Sequence, residues 1–280
     1  SMPGCHPMSA CTDGWPADWL VPDWPVPPWV RAVCTTRSGG VSAAPWDGMN
    51  LGDHVGDDPA AVHANRDRLA AYLQAQPVFL QQVHGHTVAS LGHADGVAPR
   101  VADACITREP GIACTVMVAD CLPVLLANTE GAAVAAAHAG WRGLAGAGGH
   151  GVIEASLAAL GDGSVKNLVA WLGPCIGPRA VEVGDEVRQA FVATSAAASA
   201  MFLATGEPGK WWCNLSGLAR QRLQALGLER LYGNDGSDTW CTVRNPSRFF
   251  SHRRDTAVCG GSGRFAACVW IDDGRGDKLL

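Results

Sequence analysis

No CxxC pair, no apolar run long enough to span a bilayer and only one HxH pair occur among the 280 residues. Each absence narrows the field. The 11 cysteines are odd in number and scattered from Cys5 to Cys268, so they do not read as a disulfide framework. They read as thiols in a reducing, cytoplasmic setting, mostly buried as small hydrophobes. The longest apolar stretches, around Thr115–Ala127 and Ala132–Ala139, are broken by Asp120 and Pro123 or stopped by Gly140, which predicts no membrane span. Residues 1–18 show no basic segment followed by an apolar core, which predicts no secretory signal. The single HxH, His84-Gly85-His86, is too little for a trinuclear copper cluster beside a blue copper. Charge is sparse at 17%, with a net value of −5, which argues against broad electrostatic binding of nucleic acid.

What is present is a globular composition, 48% apolar, in a chain of a length that suits one large domain. Residues 1–18 read as a loosely attached arm, and 19–280 as one domain of mixed helix and strand without a clean βαβ rhythm. Trp19–Trp29 (WLVPDWPVPPW) is rich in Pro and Trp and should run extended, with the indoles as anchors. Asp58-Pro59 opens a helix carrying Val62, Leu69 and Leu73 on one face. Strands are expected at 78–83, 112–118, 123–126, 132–137, 168–172 and 266–271. Helices are expected at 151–160 and after Asn214, the latter closed by Gly227.

Three segments place a His or Cys at the end of an apolar stretch, next to Gly, Pro or Asp: QQVHG with His84, ADCLP with Cys121, and AHAGWRG with His138. Strand ends that open into loops are where functional side chains gather. Two His and one Cys make the ligand count of an open zinc site. Their separations of 37 and 17 residues are too long for a zinc finger and suit a site assembled from several strands. A Cys beside a His is also a thiol-nucleophile arrangement, so a Cys121–His138 hydrolase remains a second reading. Asp120 next to Cys121 should point away from the metal and satisfy donors in the turn.

The segments TTRSGGVS (35–42), NLGDHVGDDPAAV (50–62), QVHG, ADCLPVLL, AAAHAGWRGLAG, WLGPCIGP (171–178), EVGDEV and the closing CT…RFFSHRRD…GRFAACVW resemble the YfiH family. It is also called the laccase-domain or multicopper polyphenol oxidoreductase family. The likeness runs from about Trp19 to Ile271 in the family's order. It implies an α+β fold in α/β/β/α layers with mixed sheets, related to the catalytic domain of a deamidating toxin. It implies one zinc ion (Zn2+) on His84, Cys121 and His138, these being the catalytic centre, with copper able to substitute. The implied activity is purine nucleoside phosphorolysis, on adenosine, inosine, guanosine and methylthioadenosine, with adenosine deamination at the same site. Copper-dependent polyphenol oxidation and editing of peptidoglycan precursors are the family's other associations.

Phosphorolysis needs an anion clamp and a hold on the nucleoside. Arg37 beside two glycines, Arg142 four residues after His138, and Asn50 are the candidates for phosphate or substrate contact. The expected partners are small molecules, a purine nucleoside and phosphate, for a monomer that engages neither nucleic acid nor membrane. Arg244, Arg248, Arg253 and Arg254 read as structural, with Phe249 and Phe250 packing inward. The chain departs from the family pattern in a lengthened loop containing His150, in a lengthened stretch containing Cys259, and at His86. His150 is expected to face solvent.

Overall fold

The computed structural model describes residues 14–161 and 165–274. Most of the expected arm, residues 1–13, lies outside the described residues. In chain order the elements are β1 (Val30–Cys34), α1 (Pro59–Leu73), β2 (Gln76–Val78), β3 (Val88–Leu91), β4 (Ala104–Thr107), β5 (Ile112–Val118), β6 (Leu122–Asn128) and β7 (Val134–Ala139). There follow α2 (Trp141–Ala145), α3 (Val152–Leu160), β8 (Leu168–Leu172), β9 (Glu182–Gly184), α4 (Asp185–Val192), β10 (Phe202–Ala204) and β11 (Lys210–Cys213). The chain closes with α5 (Leu215–Ala225), β12 (Leu231–Gly233), α6 (His252–Cys259) and β13 (Phe265–Ile271).

Two mixed sheets stack face to face. One has four strands in the order β1-β13-β5-β2, the other six in the order β12-β8-β6-β7-β4-β3. A third, small sheet, β10-β11-β9, is hydrogen-bonded to neither but packs Phe202 and Cys213 into the core under the larger sheet. The period-2 alternation of the strands decides what each face meets. In β5, Ile112, Cys114, Val116 and Val118 point between the sheets, where Leu125, Val134, Ala136 and Trp171 of the larger sheet meet them. Ala113 and Met117 point the other way, onto Leu69 and Leu73 of α1. In β7, Ala135, Ala137 and Ala139 face Val152, Ile153 and Leu157 of α3. The result is the α/β/β/α layering.

Local signals explain several boundaries. Asp58 caps α1 by accepting from Ala60 N, with Pro59 in the first turn. Asn214 accepts from Gly217 N and starts α5. Strand β2 ends at Val78, five residues short of the expected 78–83. Beyond it the chain leaves the four-stranded sheet, and Gln81 bridges to Val101. Trp19 and Trp24 are buried anchors of the extended N-terminal stretch, while Trp29 is half exposed. All nine described cysteines are free thiols, and among them only Cys259 is fully exposed. Among the described residues no helix is long and apolar enough to cross a membrane.

The fully buried Leu69 joins α1 to the four-stranded sheet. Leu69→Ala should therefore cost about 2–5 kcal/mol in denaturant unfolding. Val258→Ala, at a position 81% exposed, should stay within about 0.5 kcal/mol.

Candidate metal centre

The site lies at one end of the sandwich, where β5 and β7 finish and β6 and β13 begin. His138 is the fifth residue of β7, only 3% exposed, and shares the inward parity of Val134 and Ala136. Cys121 sits in the tight connection from β5 to β6. His84 sits in the turn after β2, in the left-handed region at φ 60°. One ligand atom from each of the three residues lies within 4.8 Å of the other two. The His84 and His138 rings meet edge to face, with centroids 5.0 Å apart. Among the described residues this is the one group of three such side chains with metal-holding geometry.

A fourth residue, which the sequence did not single out, organises the cluster. Asp103 is fully buried just before β4. Its Oδ1 accepts from the backbone N–H groups of Val83 (3.1 Å) and Gly85 (2.9 Å). Its Oδ2 accepts from His84 N at 2.9 Å and lies 2.8 Å from His138 Nδ1. Three backbone donors converging on one carboxylate hold the turn that contains His84. With Nδ1 of His138 donating to Asp103, its Nε2 is left to face Cys121 and His84, the usual carboxylate–histidine arrangement behind a metal. The backbone N–H of His138 also donates to Asp103 O at 2.7 Å. The only trace of this in the sequence is an acidic residue at the edge of an otherwise apolar strand.

Electrostatics follows from this packing. Burial alone would raise the Cys121 thiol, but His138 and His84 beside it outweigh burial and bring it down to about 6. Burial alone would lower His138, yet Cys121 and Asp103 lift it to about 9. Burial also works against the Asp103 carboxylate, and the donors around it keep it below its ordinary range. The pair is thus poised as thiolate and imidazole cation, and a cation that displaced the shared proton would meet three ready ligands. Gly140 keeps the space open: a Cβ there would come within 3.0 Å of His84 Cδ2 and 3.1 Å of Cys121 Sγ. Donor types, spacing and this clearance all fit a single metal ion.

The cluster lines a cavity of about 400 Å3, a size suited to a small organic ligand. One wall is apolar, with Ile176, Val181, Val183 and Trp141. The charged lining is mostly cationic, with Arg142, Arg253 and Arg264 against one acid, Asp120. His54 also lines it, and burial and the nearby Arg264 hold its imidazole below the ordinary value. Asp120 was expected to satisfy donors in its own turn; its side-chain partners come instead from distant segments of the chain. Its oxygens accept from Thr242 Oγ1 (2.7 Å) and Arg253 N (2.7 Å), and its backbone sits at φ 106°.

The other sequence candidates divide. Arg142 lines the cavity, its guanidinium 4.6 Å from the centre of the Trp141 ring. Arg37 lies away from the cavity lining: it donates to Asp47 O and Oδ1 and to Pro246 O, and stacks over Phe250. Asn50 is fully buried, with its amide engaged by Gly52, Asp57 and the Arg264 backbone. Its polar atoms are spent on protein partners, so it does not reach into the cavity. Arg253, read from the sequence as structural, is instead part of the lining, whereas Arg254 is tied to Asp255 and three carbonyls as expected. His86 and His150 are exposed, their ring centroids 6.4 Å apart, and neither lines the cavity. Arg253 and Arg264 carry the same signal as the three ligands, a polar residue at the border of an element, but arginines there are too common to stand out.

Comparison with known proteins places these features in a family context. The family model described as multi-copper polyphenol oxidoreductase laccase matches residues 31–272. A purine nucleoside phosphorylase of Pseudomonas aeruginosa is 50% identical over 255 residues, covering 91% of this chain and 99% of that protein. The purine nucleoside phosphorylase YfiH of Escherichia coli is 47% identical over 254 residues, covering 90% and 98%. Among solved structures, a Neisseria meningitidis protein superposes with a TM-score of 0.83 at 39% identity, covering 91% of this chain and 99% of that one. YlmD from Geobacillus stearothermophilus gives 0.78 at 31% identity, covering 88% and 93%.

Two outcomes are expected from perturbing the cluster. Asp103→Asn should weaken zinc affinity about 10- to 100-fold in a competition titration with a chromophoric chelator. In chelator-treated protein, alkylation of Cys121 by iodoacetamide, followed by peptide mass mapping, should rise with a midpoint near pH 6. A midpoint at the ordinary thiol value would refute the thiolate–imidazole pairing.

Proposed function

The chain belongs to the multi-copper polyphenol oxidoreductase laccase family, and from that membership and its site we propose that it is a zinc-dependent purine nucleoside phosphorylase. The observation that carries this reading is a His84–Cys121–His138 cluster in the lining of a cavity that also holds three arginines against one acid. The relatives named as purine nucleoside phosphorylases support it. In phosphorolysis a phosphate oxygen attacks C1′ of the ribose while the C1′–N9 bond breaks. The bonding pair leaves with the purine, which takes up a proton, giving free base and ribose 1-phosphate.

The residues divide that work. The arginines hold phosphate as an oxyanion in a space partly screened from water, where charge-assisted hydrogen bonds are strong. The wall of Ile176, Val181, Val183 and Trp141 offers the flat base an apolar face. His84, Cys121 and His138 would hold the metal, with Asp103 fixing the His138 tautomer. A zinc ion held by these two imidazoles and one thiolate would supply Lewis acidity to the reaction. The same cavity suits hydrolytic deamination of adenosine, in which water adds at C6 and the C6–N bond breaks to release ammonia.

Two His and one Cys are also the equatorial set of a blue copper centre. Here, however, His84 is exposed and the cluster opens onto a substrate-sized cavity. That arrangement supports a centre that meets a substrate over one that only passes electrons. The lowered Cys121 thiol beside His138 favours one further reading, a thiol hydrolase, and the same experiment separates it.

Zinc content and product formation from adenosine and inosine, with and without phosphate, test the proposal. The expected result is near-stoichiometric zinc, free base and ribose 1-phosphate only when phosphate is present, and inosine from adenosine without phosphate. Cys121→Ala should lose the metal and fall in activity by at least about 100-fold, since Lewis-acid stabilisation is worth several kcal/mol. Metal-free protein that converts no nucleoside would overturn the proposal. Turnover that survives chelation but not iodoacetamide would transfer the assignment to the thiol.

A further inference from the structure

The NLGDH segment lies outside the metal cluster, and within it Asn50, buried and internally bonded, was expected to touch substrate. Its contacts converge on one distant residue. Asn50 Oδ1 accepts from Arg264 N at 2.8 Å, and Leu51 N donates to Arg264 O at 3.0 Å. The Arg264 backbone is thus clamped on both sides, immediately before β13. Gly52 completes the clamp: a Cβ there would come within 2.9 Å of Arg264 Cγ and 3.2 Å of its Cβ. Those atoms are the root of the side chain and cannot swing aside without moving the guanidinium.

The guanidinium so placed is half buried in the cavity wall. It lines the same cavity as His84, Cys121 and His138, and the anionic groups that act on it are Cys121 and Asp120. Its protein partners among the described residues are Ser262 O (3.2 Å) and Gly263 O (3.0 Å), both on Nη1. Those two bonds fix the plane of the guanidinium and leave Nε and Nη2 for a ligand. The other lining arginines are exposed: Arg142 rests on Trp141, and Arg253 reaches Glu182 O at 3.4 Å. An arginine fork held in one plane, partly desolvated, suits the bidentate grip of a tetrahedral oxyanion.

We propose that Arg264 grips the phosphate co-substrate beside the His84–Cys121–His138 cluster, and that Asn50, Leu51 and Gly52 are its positioning residues. The inference rests on the phosphorolytic reading and names the residue that serves its anion. Asn50 thereby acts on phosphate through Arg264 and makes no contact with the ligand.

The test uses full-length, zinc-loaded protein, with inorganic phosphate binding measured by calorimetry and the phosphate KM by inosine turnover. Arg264→Ala should raise the phosphate Kd and KM about 10- to 100-fold, the loss expected for a charged hydrogen-bonding pair. Zinc content and the inosine KM should change little. Gly52→Ala should shift phosphate KM in the same direction, because it displaces the fork without removing it. Arg264→Lys should recover only part of the affinity, because a point charge replaces the planar fork. If Arg264→Ala does not fold, as judged by its unfolding transition, the Lys variant carries the comparison. A folded variant with phosphate Kd and KM unchanged, or with loss confined to the inosine KM, would overturn the assignment. Wild type that binds phosphate through Arg264 yet forms no ribose 1-phosphate would uphold the oxyanion site and remove the phosphorolytic reading.

Discussion

One buried carboxylate sets the geometry of the centre. Asp103 grips the backbone of residues 83–85 and the ring and backbone of His138 at once. Two of three ligands, from segments more than fifty residues apart, are thereby referred to the same pair of oxygen atoms. A fully buried carboxylate is costly unless its acceptor sites are filled, and here the groups that fill them are the ligand-bearing turn and the ligand ring. The desolvation cost of one residue is offset by the order it imposes on two others.

The rest of the fold presents that arrangement to a cavity. Stacking two sheets lets the ends of β5 and β7 and the beginnings of β6 and β13 share one edge of the sandwich. Small residues make this close approach possible, from the alanines of β7 to Gly140 beside Cys121 and Gly143, where a Cβ would come within 2.6 Å of Gly85 O. The cationic lining is a local feature of a chain whose net charge is −5. Clustering a few arginines around a partly screened cavity concentrates a positive field that the overall charge conceals.

The elements with strong local signals were legible in the sequence. The Asp58-Pro59 start of α1, the Asn214 cap of α5 and the apolar run of β5 each follow from chemistry within a few residues. Strand β2 was read as too long, because 79–83 is apolar enough for a strand. Residues 81–85 are instead drawn toward Asp103 and Val101. Arg37 shows the same limit. A glycine-flanked arginine suits an anion, and only the fold shows Asp47, Pro246 and Phe250 already waiting for it.

By itself the sequence determined a domain of mixed helix and strand with His84, Cys121 and His138 as candidate ligands, and it carried the family resemblance, which implied the layering. Periodicity, capping and unusual motifs are local properties of the chain. Tertiary structure alone decided what surrounds those ligands: Asp103 behind them, Arg253 and Arg264 in the lining of the same cavity, Asn50 and Gly52 against Arg264. Buried polar groups are satisfied by whatever the fold brings within about 3 Å, and no pattern along the chain encodes that distance.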